Sequence, residues 1–274
     1  MNGQWHYLEW SESHRNALWD FYAQWTPAQN RYFSRQVGQG VFRFLQRATD
    51  LGGHVLDYGC GPGHLVRLLV QNRVFASGAD TSPDSIRLLE RDLQNNPHWK
   101  GGAVLDRPGS LPYADGTFSL VICLETFEHM DEEAQENLLP ELHRVLAPGG
   151  CLFATVPEKE DLGAAMVFCP ESRAVFHPWQ HVRSLGHEDL ALAFESHGFT
   201  TILHGATSFR AWQSPRPAAI RDYSLADVAR LLRGAWGDLA DRLGIPGSPA
   251  GGRHLNMKVG EGENAFCLAR KPGP

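Results

Sequence analysis

The chain is short of positive charge, of paired cysteines and of long apolar runs. Its 274 residues carry 25 Lys and Arg against 31 Asp and Glu, a formal net charge of -6. It has no Lys/Arg cluster of the kind that tracks a phosphate backbone, so nucleic acid is not an expected partner. The five cysteines, at positions 60, 123, 151, 169 and 267, are odd in number and form no C-x-x-C pair. That argues against a disulfide framework. No segment approaches the ~20 apolar residues of a membrane span, and the opening MNGQWHYLEW lacks the apolar run of a signal peptide. The expectation is a soluble, cytoplasmic protein with no membrane partner, long enough to bury a sizeable core.

What is present is a change of character near Gly53. Residues 1–50 are rich in aromatics, show helical periodicity over Ser11–Trp25 and Val37–Gln46, and have no convincing strand pattern. Trp19, Tyr22 and Trp25 have the i, i+3, i+6 spacing that would bury a face on a sheet. From Gly53 onward apolar strands and amphipathic helices alternate. Strand patterns fall at HVLDYG, FASGAD, GAVLD, FSLVICLE, CLFATVP, FTTILHG and NAFCLARKP, with helices between most of them. Ser82 and Pro83 are a good N-cap and first helical residue. The helix DEEAQENLLPELHRVL is expected to end at APGG. Such alternation predicts an α/β fold, a parallel sheet with helices on both faces. Residues 158–186 have little periodicity, and 207–258 hold a helical pattern after SPRPAAIRD. The expected organisation is one domain: an N-terminal helical cap (1–50), a core (51–206 and 259–274) and a helical lid insertion (207–258).

The stretch VLDYGCGPGHL carries the chemistry. A glycine-rich turn between strand and helix lets backbone N–H groups approach a ligand closely. The dinucleotide fingerprint G-x-G-x-x-G fails because its third glycine would be His64, and no Lys-Ser/Thr pair of a P-loop follows. Asp57, at the strand's end, suits a cation or hydroxyls better than a pyrophosphate.

With Asp57, Gly59, Gly61 and Gly63 in the pattern D-x-G-x-G-x-G, the sequence resembles the class I S-adenosylmethionine-dependent methyltransferases, in particular their small-molecule group. Five segments agree in order and spacing: VLDYGCGPG, GADTSPDSI, LPYADGTFSLVICLETFEHM, RVLAPGGCLFATVP and HVRSLGHEDLALAFESHGF. The resemblance implies a Rossmann-like, seven-stranded, mostly parallel sheet and S-adenosyl-L-methionine as cofactor. It implies that Gly59, Cys60, Gly61 and Gly63 wrap the amino-acid part of the cofactor, that Asp80, with Thr81, holds the ribose hydroxyls, and that Leu124 and Glu125 lie beside it. One departure concerns adenine. The position that is usually acidic is Arg107, with Asp106 one residue earlier; a one-residue bulge could restore the contact, or Asp106 is a solvated loop carboxylate.

Methyl transfer from a sulfonium is an in-line displacement, and the cofactor supplies the reactive group. The protein must place a nucleophile about 3 Å from the methyl, which can supply up to roughly 7–11 kcal/mol of the barrier. An oxygen nucleophile usually needs its proton removed as well, a task suited to histidine. CLETFEHM, after the fourth core strand, offers Glu125, Glu128 and His129. It lacks the Asn/Asp-Pro-Pro-aromatic motif with which related families handle planar amide or base nitrogens. His129 is a general base or a residue of the next turn. CPESRAVFHPWQHVRSLGHED places Cys169, His177, His181 and His187 in a loop over the site. Either His177 or His181 is a base, or His181 and Arg183 pin the loop through backbone carbonyls. Zinc is allowed by residue type, but C-x7-H-x3-H-x5-H is not a standard spacing, so no metal is expected. Tyr32 and Phe33 fall where relatives close over the cofactor, and Arg31 or Arg35 either pairs with the cofactor carboxylate or is solvated. Arg210, Arg216 and Arg221 are candidate anion contacts or surface charge. Cys123 and Cys151 read as small hydrophobes.

The expected activity is methyl transfer to a small-molecule acceptor, at the oxygen of a sugar or secondary-metabolite hydroxyl. N- or C-transfer, cofactor binding without transfer, and a nicotinamide oxidoreductase are the competing readings. The aromatic N-terminus is a candidate homodimer interface.

Overall fold

The computed structural model describes residues 5–106, 109–213 and 262–273. The lid pattern over most of 207–258, with Arg216 and Arg221, and the departure at Arg107 lie outside the described residues.

The cap is β1 (His6–Tyr7), α1 (Glu12–Gln24), α2 (Thr26–Gln29) and α3 (Phe33–Ala48). The core follows as β2 (His54–Tyr58), α4 (His64–Gln71), β3 (Phe75–Asp80), α5 (Pro83–Leu93), β4 (Trp99–Val104), β5 (Phe118–Leu124), α6 (Glu132–Val145) and β6 (Leu146–Pro157). After α7 (Leu162–Ala165), β7 (Val167–Phe168) and β8 (Ala174–Phe176), the core closes with α8 (His187–Ser196), β9 (Thr200–Thr207) and β10 (Asn264–Arg270).

Seven strands form one sheet in the order β4-β3-β2-β5-β6-β10-β9. All neighbours run parallel except β10, which is antiparallel to both β6 and β9. The chain leaves β2 toward one edge and returns to β5 on its other side. The gap between the carboxyl ends of β2 and β5 is therefore the topological switch point, where open α/β sheets bind ligands.

Alternation along the strands divides the core between the two faces. Val55, Leu120, Phe153 and Phe266 pack with α3, α4 and α5, and Phe44 seals that side at 4.8 Å from Phe266 and 5.6 Å from Phe153, ring centre to ring centre. Leu56, Val121, Ala154 and Ala265 pack with Leu138, Leu142 and Phe194 of α6 and α8. Ser82 caps α5 by accepting the Ser85 N–H at 3.3 Å, with Pro83 first in the helix, as its sequence predicts.

Several expectations need correction. The helix α6 ends at Val145, just before APGG, as its sequence predicts, but APGG is not a free loop. It bulges out of β6, whose Leu146 pairs with Phe118 and whose Cys151 already pairs with Leu120. Lys271 holds that bulge: its ammonium donates to the carbonyls of His143 and Leu146, both at 2.8 Å, satisfying groups that a helix end leaves open. The N-terminus does hold a strand, because His6 and Tyr7 pair with Ala174 and Val175. Residues 158–186, irregular in pattern, supply β7 and β8, so that β1-β8-β7 form a small second sheet. A bridge from Glu158 to Leu185 folds the stretch back beside the core. Among the described residues no helix is long and apolar enough to cross a membrane.

Candidate active site

The glycine loop leaves β2 with Gly59, Gly61 and Gly63 at φ +72°, +50° and +80°. These are left-handed conformations that cost a side chain about 1–2 kcal/mol. The space is also closed: a Cβ on Gly61 would meet the Tyr32 ring at 3.1 Å, and one on Gly63 would run into Leu89. The N–H groups of Gly59 and Cys60 both donate to the Ala79 carbonyl, at 2.8 and 3.1 Å, which ties the loop to the end of β3.

Asp80 is the next tie. Its Oδ2 accepts the Gly61 N–H at 2.7 Å and its Oδ1 the Ser82 N–H at 2.8 Å. An ionised carboxylate has about four acceptor positions. These two N–H groups and that of Thr81 take three, which leaves about one for a hydroxyl donor. Burial raises the Asp80 pKa, while the N–H donors of Ser82, Gly61 and Thr81 oppose it. Asp57 lies deeper than the sequence suggests. It is paired in register with Gly78 and Ile122 and is 3 % exposed. Burial, then the charge of Asp80, pushes its pKa well up. Cys60 is buried and its thiol pushed up by the same cause, which fits backbone contact rather than thiol chemistry. Asp106 is exposed just past β4. The one bulge seen in β4 lies upstream of it, where Ala76 pairs with Trp99 but Gly78 with Gly102, and not between Asp106 and Leu111.

The other wall grows from the end of β5. Leu124 is buried, and Glu125 turns the chain at φ +48°, uncommon outside glycine. The turn is held by Thr155, whose carbonyl accepts the Glu125 N–H at 3.0 Å and whose hydroxyl donates to Glu125 Oε1 at 2.8 Å. Burial moves the Glu125 carboxyl up to about 8. Thr126 abuts the glycine loop, where a Cβ on Gly59 would stand 2.9 Å from its hydroxyl. A 3-10 turn, Phe127–His129, then places Glu128 and His129 inward.

Loop 158–186 covers this wall. His177 and His181 stack with centroids 4.3 Å apart, and His181 faces His129 at 4.9 Å. Glu160 accepts from His181 Nδ1 at 2.5 Å and lies 3.4 Å from His177 Nε2. The Glu128 carbonyl accepts the N–H groups of Val182 and Arg183, at 2.9 and 3.3 Å. From the cap, Trp19 donates to Gln180 Oε1 at 2.9 Å and the Tyr22 hydroxyl to the Pro178 carbonyl at 2.6 Å. Trp179 sits among Trp19, Tyr22 and Tyr32, with the Arg31 guanidinium 5.2 Å from its ring centre.

Three candidates are thus brought together: His129, His177 and His181. A free general base is a poor description of His129, because burial drives its pKa down to about 3. The loop is pinned by a carbonyl, as one reading expects, but that carbonyl belongs to Glu128, and the His181 ring goes to carboxylates. The Cys169–His177–His181–His187 set is not assembled. Cys169 hydrogen bonds within its own turn, and His187 pairs with His204 at 3.1 Å. Trp19 and Tyr22 pack on this loop rather than on the sheet, and Trp25 is exposed. Arg210 bonds Gln36 on the surface at 2.8 Å. Sequence reasoning missed Glu160, Trp179 and Gln180. Only the Glu158–Leu185 pairing brings Glu160 beside His181, and no local spacing announces it. A surface groove of about 410 Å³ lies elsewhere, lined by Trp5 and by Tyr7, Phe168 and Val175 of the small sheet, and carries none of these groups.

Known proteins share this architecture. A family model described as a methyltransferase domain matches residues 29–204. The 27-O-demethylrifamycin SV methyltransferase of Amycolatopsis mediterranei is 25% identical, the match covering 85% of this chain and 75% of that protein. A trans-aconitate 2-methyltransferase of Methylobacterium nodulans is 32% identical over 50% of this chain and 51% of its own. The matched stretch spans between about a third and three quarters of the length of such relatives. Among solved structures, the methyltransferase of a Haloferax volcanii complex with the Trm112 activator superposes with a TM-score of 0.58 at 17% identity, covering 94% of this chain and 98% of that one. With the match over residues 29–204 and the glycine loop and Asp80 at the switch point, the chain belongs to the S-adenosylmethionine-dependent methyltransferase family.

Proposed function

We propose that the protein transfers the methyl group of S-adenosylmethionine to a hydroxyl oxygen of a small molecule, a sugar or a secondary metabolite. One juxtaposition carries this reading. The Gly59–Gly63 loop, tied to Asp80, meets the end of β5 at Thr126, which lies between Glu125 and the buried group of Glu128, His129 and His181. The loop's backbone receives the methionine part of the cofactor, Asp80 and Thr81 its ribose, and Asp106 the edge of its adenine. Leu124 and Glu125 flank the sulfonium. The acceptor oxygen enters from the side of Glu128, His129 and His181, where groups that hold an oxygen and take a proton are concentrated. The Amycolatopsis relative, named for a 27-O-demethyl acceptor, is the oxygen-acceptor precedent with the longest of the matches described above.

The test uses S-adenosylmethionine with a labelled methyl group and a panel of hydroxylated small molecules, scored by mass. Label in an ether product is the expected result. Label only in protein or nucleic acid overturns the acceptor class, and failure to bind S-adenosylhomocysteine overturns the cofactor site.

A further inference from the structure

The tautomers of the histidine cluster follow from their partners. His177 Nδ1 accepts two backbone N–H groups, from Trp179 at 3.3 Å and from His181 at 3.1 Å. Its proton is therefore on Nε2, which faces Glu160 Oε1 at 3.4 Å. His181 Nδ1 donates to Glu160 Oε2 at 2.5 Å. That leaves the His181 Nε2 lone pair bare, and it points at a carboxylate: Glu128 Oε1 is 3.8 Å away. His129 Nε2 stands 3.9 Å from the same oxygen.

Glu128 is 1 % exposed, and neither of its side-chain oxygens has a hydrogen-bond partner among the described residues. An ionised carboxylate buried without donors costs several kcal/mol. Here it also faces the bare lone pair of His181 Nε2. A positive charge between the three atoms removes both penalties. Donors about 2.0–2.2 Å from a transition ion stand about 3.0–3.4 Å from one another; the three atoms lie within 4.8 Å of one another, so an ion would draw them together by about half an ångström or more. The second carboxylate is also in place. Glu160 fixes the tautomer and orientation of His181, and His177 steadies Glu160, the support that metal-binding histidines receive in known sites.

We propose that Glu128 Oε1, His129 Nε2 and His181 Nε2 bind a divalent first-row transition ion, with Glu160 and His177 as positioning residues. Two imidazoles and a carboxylate favour such an ion over Ca²⁺ or Mg²⁺ and leave open coordination positions. The inference rests on the methyl-transfer reading for its use. The acceptor hydroxyl oxygen takes an open position, and the ion's charge weakens its O–H bond. The positive charges of the ion and the sulfonium hold Glu125 ionised against its burial, and the proton passes to its carboxylate. The oxygen pair then forms the C–O bond to the methyl as the C–S bond breaks, its electrons neutralising the sulfonium. The products are a methyl ether and S-adenosylhomocysteine, and the ion keeps its oxidation state.

The test is direct binding of Mn²⁺ by electron paramagnetic resonance and of Co²⁺ by visible absorption, on full-length protein stripped with a chelator. One equivalent per chain is expected, with Co²⁺ bands of a low-coordinate nitrogen–oxygen site. Glu128→Gln should weaken Mn²⁺ binding at least 100-fold, and Glu160→Gln 10- to 100-fold. S-adenosylhomocysteine affinity in both variants should stay within twofold of the parent, which also shows that they fold. No stoichiometric ion in the parent, or an unchanged affinity in Glu128→Gln, overturns the site. Ion binding with full methyl transfer in excess chelator overturns its catalytic use. Intact ion binding with no cofactor binding sinks the methyl-transfer reading instead.

Discussion

Trp19 of the cap and His129 of the core meet edge to face, their ring centres 5.0 Å apart. One residue joins them. The Gln180 side chain accepts from the Trp19 indole at 2.9 Å and donates to the His129 carbonyl at 3.1 Å. It is 1 % exposed, so neither partner gains water if it is lost. Gln180→Met keeps the volume and removes both bonds. A buried group left unpaired costs about 1–3 kcal/mol. Urea unfolding of Gln180→Met should show a loss in that range, and Trp19→Phe a smaller one. Equal stability of Gln180→Met and the parent would mean that the cap does not rest on this contact.

Asp80 does two jobs in the proposed site, and a substitution separates them poorly on purpose. Asp80→Ala removes the acceptors for Gly61 and Ser82 together with the one for the ribose. Asp80→Asn keeps one oxygen, but its amide N–H₂ then faces a backbone N–H. Hydrogen bonds to a charged group contribute about 1.5–3 kcal/mol, roughly a tenfold to hundredfold change in binding. Calorimetric titration with S-adenosylhomocysteine should show a loss of that size for Asp80→Ala, with no full rescue by Asp80→Asn. An Asp80→Ala affinity within twofold of the parent would put the cofactor elsewhere.

The core was legible in the sequence because its signals are local. Alternating apolar runs, Ser82-Pro83 and the glycine loop each report on their own few residues, and the sheet confirms them. The candidate site was half legible for the same reason. Asp80 and Glu125 sit at strand ends that the pattern marks. Its other half depends on pairings between distant segments: Trp19 with Gln180, 161 residues apart, and Glu160 with His181 through the Glu158–Leu185 bridge. No window of sequence contains such a contact. The APGG bulge shows the converse. Its residues are turn formers, yet β5 and Lys271 hold them inside a strand.

Two glycines with nearly the same φ separate conformational strain from crowding. Gly63 has φ +80° and Leu89 where a Cβ would stand; Gly149 has φ +77° and nothing within 4 Å. Gly149→Ala should therefore cost only the left-handed penalty of about 1–2 kcal/mol. Gly63→Ala should add about 1–3 kcal/mol of overpacking. Paired thermal melts check this, and equal losses would show that Leu89 can move aside without cost.

Arg144 latches the segment before β5 onto α6. It forks onto Glu141 at 2.7 and 2.8 Å and also donates to the carbonyls of Leu111 and Tyr113 and to Asp115. Glu141 in turn accepts the Leu111 N–H at 3.1 Å. The Arg144 hydrogen bonds hold the Glu141 carboxyl below its ordinary 4.5. A carboxyl whose folded pKa is depressed contributes stability that is present above the unfolded value and is lost as pH falls through the folded one. Arg144→Met removes that contribution, so the variant should be less stable than the parent at pH 7. Below about pH 4.5 the parent loses the same term, and the gap should narrow. It should not close, because the carbonyl bonds to Arg144 do not titrate. Urea midpoints at pH 7 and pH 4 measure both gaps. A gap of constant size would show that the latch acts through the carbonyls alone and that the ion pair contributes nothing.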